Sequence, residues 1–170
     1  RLPWIPLGHD WVKILATLPA NSTLGLRNLL VTRLLGETGL AVAELCELRW
    51  ENVQGDEIEA GGKKARKLKI SAETAVRLAE WRALSKGKFL FPGFNRHGIT
   101  SERMTPRGVE LFFKTLSRNS GHKNLKPKTL RHFAIATWLK DNVAEGEIQR
   151  RLGVHPNYSL DAYRKHLEIR

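Results

Sequence analysis

The sequence predicts a mainly helical α+β domain with one small antiparallel sheet. Three observations carry that reading. Apolar residues recur at helical spacing in both the first and the last third of the chain. Between them, from Val53 to Ile70, short alternating runs flank a Gly61-Gly62 pair. A chain of 170 residues, 41% of them hydrophobic, suffices for one ordinary domain, residues 1–170, with a core of its own.

Each element follows from local signals. Trp11, Val12, Ile14, Leu15 and Leu18 give His9–Leu18 a helical period. Pro19-Ala20 breaks it, and Asn21 or Ser22 can cap the next helix. Leu24–Glu37 is strongly apolar and reads as a core helix that ends at Gly39. Val42–Leu48 is a short third helix. Val53–Ile70 reads as a hairpin or a three-stranded meander, turning at the Gly-Gly pair. Ala72–Leu84 returns to helix, and Leu90–Ser101 reads as a loop. Arg107–Leu116 is helical. Pro127 suits a helix start ahead of Thr129–Lys140. Glu145–Leu152 closes at Gly153, and Asn157 or Ser159 can cap a last helix running through Tyr163. Trp50 and Trp138 read as core residues, and His132 as a packing residue.

Composition narrows the function classes. Lys and Arg total 29 against 17 Asp and Glu, a formal net charge of +12. A domain this basic is suited to a polyanion, and nucleic acid is the expected partner. The single Cys46 forms no internal disulfide, which fits a reducing cytoplasmic setting. No apolar run reaches membrane-spanning length, so no membrane partner is expected. Arg1 at the first position reads as the start of a fragment of a longer chain.

The most specific signal lies between Thr129 and Tyr163. Thr129-Leu130-Arg131-His132 is followed, seventeen and eighteen residues past the Arg, by Ile148-Gln149. Leu152-Gly153-Val154 comes next, and Tyr163 stands nine residues after Val154. Upstream, Thr38-Gly39-Leu40-Ala41-Val42-Ala43-Glu44-Leu45 precedes the basic Gly-Gly hairpin. In this order and register the chain resembles the tyrosine recombinases, the family of phage integrases and Xer-type resolvases. The resemblance runs without a gap from Arg131 to Tyr163. It implies the tyrosine recombinase catalytic-domain fold.

The resemblance also implies a chemistry. Tyr163 would attack a phosphodiester, forming a 3′-phosphotyrosine and releasing a 5′-hydroxyl. The bond energy stays in the covalent link, so rejoining needs no ATP. Arg131 would hold the scissile phosphate with bidentate donors. Lys128 stands where the family usually has His and is known to accept Lys. A Lys near the hairpin turn, Lys63 or Lys64, would be the general acid on the leaving oxygen. Neither a cofactor nor a metal is implied. Lys63, Lys64, Arg66, Lys67, Lys126 and Lys128 are the expected DNA-backbone contacts. Double-stranded DNA is the expected partner, with tetramer assembly on it implied by the family. The family's N-terminal clamp domain is not found in these residues.

Two positions depart from the family pattern. Ala41 stands where a phosphate-binding Arg is expected, while its acidic companion Glu44 is retained. Val154 stands where a His is expected, with His155 beside it as a candidate substitute. Ala41 is read as an engineered change, as natural decay, or as a shifted register with Arg33 or Arg49 as the true Arg. A guanidinium-sized gap facing Glu44 is the expected consequence. Three functions fit: a strand-exchange enzyme weakened at Ala41, a non-catalytic DNA-binding relative, and a type IB topoisomerase-like enzyme. All three predict binding to duplex DNA through phosphates. With about five to eight phosphates neutralised, log K should fall against log[salt] with a slope of roughly −4 to −7. Titration at several salt concentrations checks this, and a salt-independent affinity would refute it.

Overall fold

The computed structural model describes residues 2–169. Helices α1 (Gly8–Ala16), α2 (Thr23–Thr38) and α3 (Val42–Glu47) come first. Strands β1 (Val53–Gln54), β2 (Glu57–Ala60) and β3 (Arg66–Lys69) form an antiparallel meander. Helix α4 (Ala72–Leu84), the hairpin β4 (Pro92–Asn95) and β5 (Gly98–Arg103), and helix α5 (Pro106–Ser120) follow. The chain closes with α6 (Pro127–Lys140), α7 (Glu145–Leu152) and α8 (Asp161–Ile169).

The caps fall where sequence chemistry puts them. The Ser22 hydroxyl accepts the Gly25 N–H at 3.0 Å and opens α2. Gly39 ends α2 in the left-handed conformation, φ 68°. Pro127 occupies the first turn of α6, where no N–H is missed. In the meander, Ile58 pairs with Leu68 and both are buried, so the period of two sets one face inward. Arg66 lies on that same inward face, opposite Ala60.

One expectation is corrected. Leu90–Ser101 is not a loop throughout, because Pro92–Asn95 pairs with Gly98–Arg103 as a second two-stranded sheet. Pro92 and the polar run beyond Phe94 mask the strand in sequence. Pro92 sits at the strand's first position, where its missing N–H is tolerated. Phe94 lies under the Arg27 guanidinium, 4.6 Å from ring centre to carbon. Helix α5 also runs longer than expected, from Pro106 to Ser120, with the Thr105 hydroxyl capping Gly108 N–H at 3.1 Å.

Helix α2 is the central element, and Leu26, Leu30, Val31, Leu34 and Leu35 are all buried. It packs against α1, α3, α4 and α6. The buried side chains form two groups. The larger joins α2 and α3 to the meander, to α4 through Leu78 and Trp81, to α5 through Val109 and Phe113, and to Leu130 of α6. The smaller is built from Phe133, Ile135 and Trp138 of α6, Ile148 and Leu152 of α7, and Leu160 and Tyr163. Leu130 belongs to the first group and Phe133 to the second, so residue 131 emerges at the seam between them.

At Gly39 the backbone runs close against the smaller apolar group. A Cβ there would meet the Trp138 ring at 3.2 Å and Leu152 at 3.3 Å, on a backbone already at positive φ. Gly39→Ala should therefore cost about 1–3 kcal/mol. Urea unfolding followed by far-UV circular dichroism measures it, and a loss below a few tenths would refute the tight approach.

Candidate active site

Arg131 projects from the second turn of α6 into the seam and is half-buried. Its Nη1 donates to the Gly39 carbonyl at 2.5 Å and its Nη2 to the Leu152 carbonyl at 3.4 Å. The two acceptors are the ends of α2 and α7, where helices present unpaired carbonyls. Gly39 and Gly153, each in the left-handed conformation, turn the chain there and open those carbonyls to the guanidinium. Burial holds the Arg131 pKa below its ordinary value, while the nearby Glu44 charge pulls the other way.

Glu44 lies in the first turn of α3. Its Oε1 accepts the Ala41 N–H at 3.1 Å, closing the helix start. The gap expected opposite it is filled. Arg66 of β3 donates Nη1 to Glu44 Oε2 at 2.6 Å and Nη2 to Oε1 at 3.1 Å. The Arg66 Nε donates to the Arg151 carbonyl at 2.7 Å. Burial pushes the Glu44 carboxyl upward, but the Arg66 hydrogen bonds, the Ala41 N–H and the charges of Arg66 and Arg131 outweigh it. The net shift is downward. Arg33 and Arg49, the alternative register partners, are engaged elsewhere. Arg33 pairs with Glu37 and Glu73, and Arg49 with Glu51.

Tyr163 is only 4% exposed. Its hydroxyl lies 2.7 Å from His132 Nδ1, on the residue next to Arg131. Burial raises the phenol's pKa well above its ordinary value, and the neighbouring Tyr158 phenol raises it further, whereas Arg131 lowers it. The phenol is therefore fully protonated at neutral pH. Burial lowers the His132 pKa, and the charges of Lys128, Arg131 and His166 add to the effect. The segment before α8 is held by the buried Gln149, whose Nε2 donates to the carbonyls of Pro156 (2.8 Å) and Tyr158 (2.9 Å).

The phage integrase family matches residues 7–168 of this sequence. The chain belongs to that family. Similar curated proteins include the tyrosine recombinase XerC of Xanthomonas axonopodis pv. citri (strain 306), 28% identical over 99% of this chain and 56% of the relative. Another is the tyrosine recombinase XerD of Listeria innocua serovar 6a, 29% identical over 89% of this chain and 54% of the relative. The chain thus spans little more than half the length of these curated relatives. Among solved structures, XerA recombinase superposes with a TM-score of 0.80 at 18% identity, covering 99% of this chain and 63% of that one. XerH bound to its difH substrate, a pre-cleavage complex, gives 0.76 at 20% identity, covering 98% and 50%. The fold is that of the integrase family's catalytic domain, mainly helical with small antiparallel sheets.

Against this integrase fold, the residues singled out in the sequence divide. Arg131, Tyr163 and Ala41 gather at the seam, with Val154 packed against the smaller apolar group. Lys128 stands one turn before His132, close enough for its charge to act on the ring. Lys63 and Lys64 are exposed in a short turn between β2 and β3. Lys67 and Lys126 are also exposed, as a phosphate contact requires. Two candidates fall elsewhere. Arg66, expected on the DNA surface, is 7% exposed because the β3 alternation points it inward to Glu44. His155, offered in place of the missing His, is exposed with Nδ1 2.7 Å from Asn157 Oδ1, since the turn after Gly153 carries it outward. Sequence reasoning passed over the His132 contact with Tyr163 and the proximity of Tyr158. The inward placement of Arg66 was signalled by the alternation Arg66, Leu68, Ile70.

The lowered His132 pKa has a definite pH consequence. Its folded-state value lies below the ordinary 6.5, so the unfolded chain takes up the proton first as pH falls. The stability due to neutral His132 is complete above that value and is lost as pH drops through the folded pKa. Unfolding free energy should fall between pH 7.5 and 5.5, with His132 contributing at most about 1.4 kcal/mol per pH unit. In His132→Phe that contribution disappears. Equal pH slopes for the two proteins would refute it.

Proposed function

We propose that this chain is the catalytic part of a site-specific recombinase that cuts and rejoins duplex DNA through a 3′-phosphotyrosine at Tyr163. The observation that carries the reading is the convergence of Tyr163 and Arg131. The phenol is buried against His132, the residue following Arg131, and feels the guanidinium charge. Arg131 would grip the non-bridging oxygens, where charge gathers in the transition state. Lys128 would add charge at the N-terminal turn of α6. Lys63 or Lys64, on the exposed β2–β3 turn, would protonate the leaving 5′-oxygen. Because the Tyr163 phenol lies against His132, it must leave that contact before it meets a phosphate, in line with catalytic contacts that tighten only on binding.

Ala41 offers a methyl group where the family resemblance implies a phosphate-binding Arg, so cleavage in this chain is slowed. DNA would be held by the exposed lysines Lys63, Lys64, Lys67, Lys126 and Lys128. A clamp domain outside these residues and a tetramer on DNA would complete the working assembly, in the cytoplasm on the nucleoid. A second reading is a DNA-binding relative that has lost cleavage. Val154 favours it, because it packs against apolar neighbours and offers no donor to a phosphate.

A nicked suicide duplex decides between the two. The recombinase reading expects a covalent protein–DNA adduct on a denaturing gel, abolished by Tyr163→Phe. Ala41→Arg should raise its rate of formation by roughly 10²–10³, the effect of one preorganised donor. No adduct from either the native chain or Ala41→Arg would leave the binding role. An adduct that survives Tyr163→Phe would place the nucleophile on another residue.

A further inference from the structure

Arg66 is a buried cation to which the cleavage chemistry gives no task. Its side chain is 4% exposed and contributes a full charge to the seam where Arg131 lies. Two guanidinium groups and one carboxylate, Glu44, therefore share this region. We propose that Arg66 is a positioning residue for the phosphate clamp: it neutralises Glu44, to which Ala41 brings no charge, and so leaves the charge of Arg131 for a phosphodiester. The inference rests on the reading of Arg131 as the phosphate-binding group.

The geometry supports this in three ways. First, the Glu44 carboxylate is engaged at both oxygens. Oε2 takes Arg66 Nη1 at 2.6 Å, while Oε1 takes both Arg66 Nη2 at 3.1 Å and the Ala41 N–H at 3.1 Å. The Glu44 charge still reaches Arg131, but the hydrogen bonds of Arg131 go to main-chain carbonyls instead. Second, Arg66 cannot swing away. Its Nε is tied to the Arg151 carbonyl at 2.7 Å, and β3 pairing with Ala60 fixes its backbone. Third, the guanidinium lies directly beneath the Leu152-Gly153 turn. A Cβ on Gly153 would come within 2.7 Å of Nη1 and 2.8 Å of Cζ. Arg131 reaches the same turn through the Leu152 carbonyl. Without Arg66, the Glu44 charge would act on Arg131 unopposed and compete with any phosphate for it. A bidentate, partly buried pair of this kind calls for Arg, because a Lys point charge could not fill both oxygens.

Inorganic phosphate is the probe, added to the whole chain at constant ionic strength with chloride as balance. The readout is the saturable rise in Tm. Native protein should show it and Arg131→Met should not. Arg66→Met should weaken the apparent phosphate Kd by roughly tenfold or more. Removing both charges in Arg66→Met/Glu44→Gln should restore it to within about threefold of native, since replacing both partners of a buried pair is often tolerated. Glu44→Gln alone should bind phosphate as tightly as native or tighter. Should Arg66→Met not fold, the double variant and Glu44→Gln carry the test. A full phosphate response in Arg66→Met, alongside its loss in Arg131→Met, would overturn the role of Arg66 and leave the site standing. A folded double variant that stays weak would overturn it too, by showing that the arginine acts through packing. Retention of the response in Arg131→Met would sink the phosphate site itself and this inference with it.

Discussion

A guanidinium carries five N–H groups in a fixed plane, and burying one requires acceptors at matching directions. This fold buries much of two of them at one seam. Arg131 finds the ends of α2 and α7, while Arg66 finds Glu44 and the Arg151 carbonyl. Those contacts tie together segments that are far apart in sequence: the turn at Gly39, the start of α3, strand β3 and the end of α7. The bond from Arg150 Nη1 to the Lys67 carbonyl, 3.0 Å, adds a second stitch between α7 and β3. The apolar groups on either side supply the cohesion, and the arginines determine how their boundary is arranged.

That boundary also sets the state of the phenol. Tyr163 closes the smaller apolar group with its ring and sets its hydroxyl 2.7 Å from His132 Nδ1. The same burial that makes the ring a core residue keeps the hydroxyl protonated. One residue thus serves packing in the free protein and carries the nucleophile of the proposed reaction. The conflict is eased by position, because α8 packs chiefly on α6.

Much of this was legible in the sequence. Helical periods and caps placed α2, α4, α6 and α7 closely, because each starts or stops at a residue with a direct backbone role, such as Ser22, Gly39, Pro127 and Gly153. The β4–β5 hairpin was not legible, since Pro92 and the polar residues after Phe94 mimic a loop and the pairing is settled by contact with the rest of the fold. Arg131 and Tyr163 could be read from a register of motif positions. The partner of Glu44 could not, because a basic run such as Lys63-Lys64-Ala65-Arg66-Lys67 looks uniformly solvated until the strand period is applied to it. His155 is a different case: adjacency to Val154 in sequence did not reveal that its ring lies exposed against Asn157.

Gly153 ends as more than a helix stop. Its backbone sits at φ 67°, and the space where a side chain would begin is occupied by the Arg66 guanidinium. The two positions, 87 residues apart in the chain, are therefore bound by epistasis. A side chain at 153 is strained by the positive φ, and it would in addition have to displace the Arg66 guanidinium that pairs with Glu44. A substitution at 153 therefore meets two separate penalties, one from its own backbone and one from a residue of a distant strand.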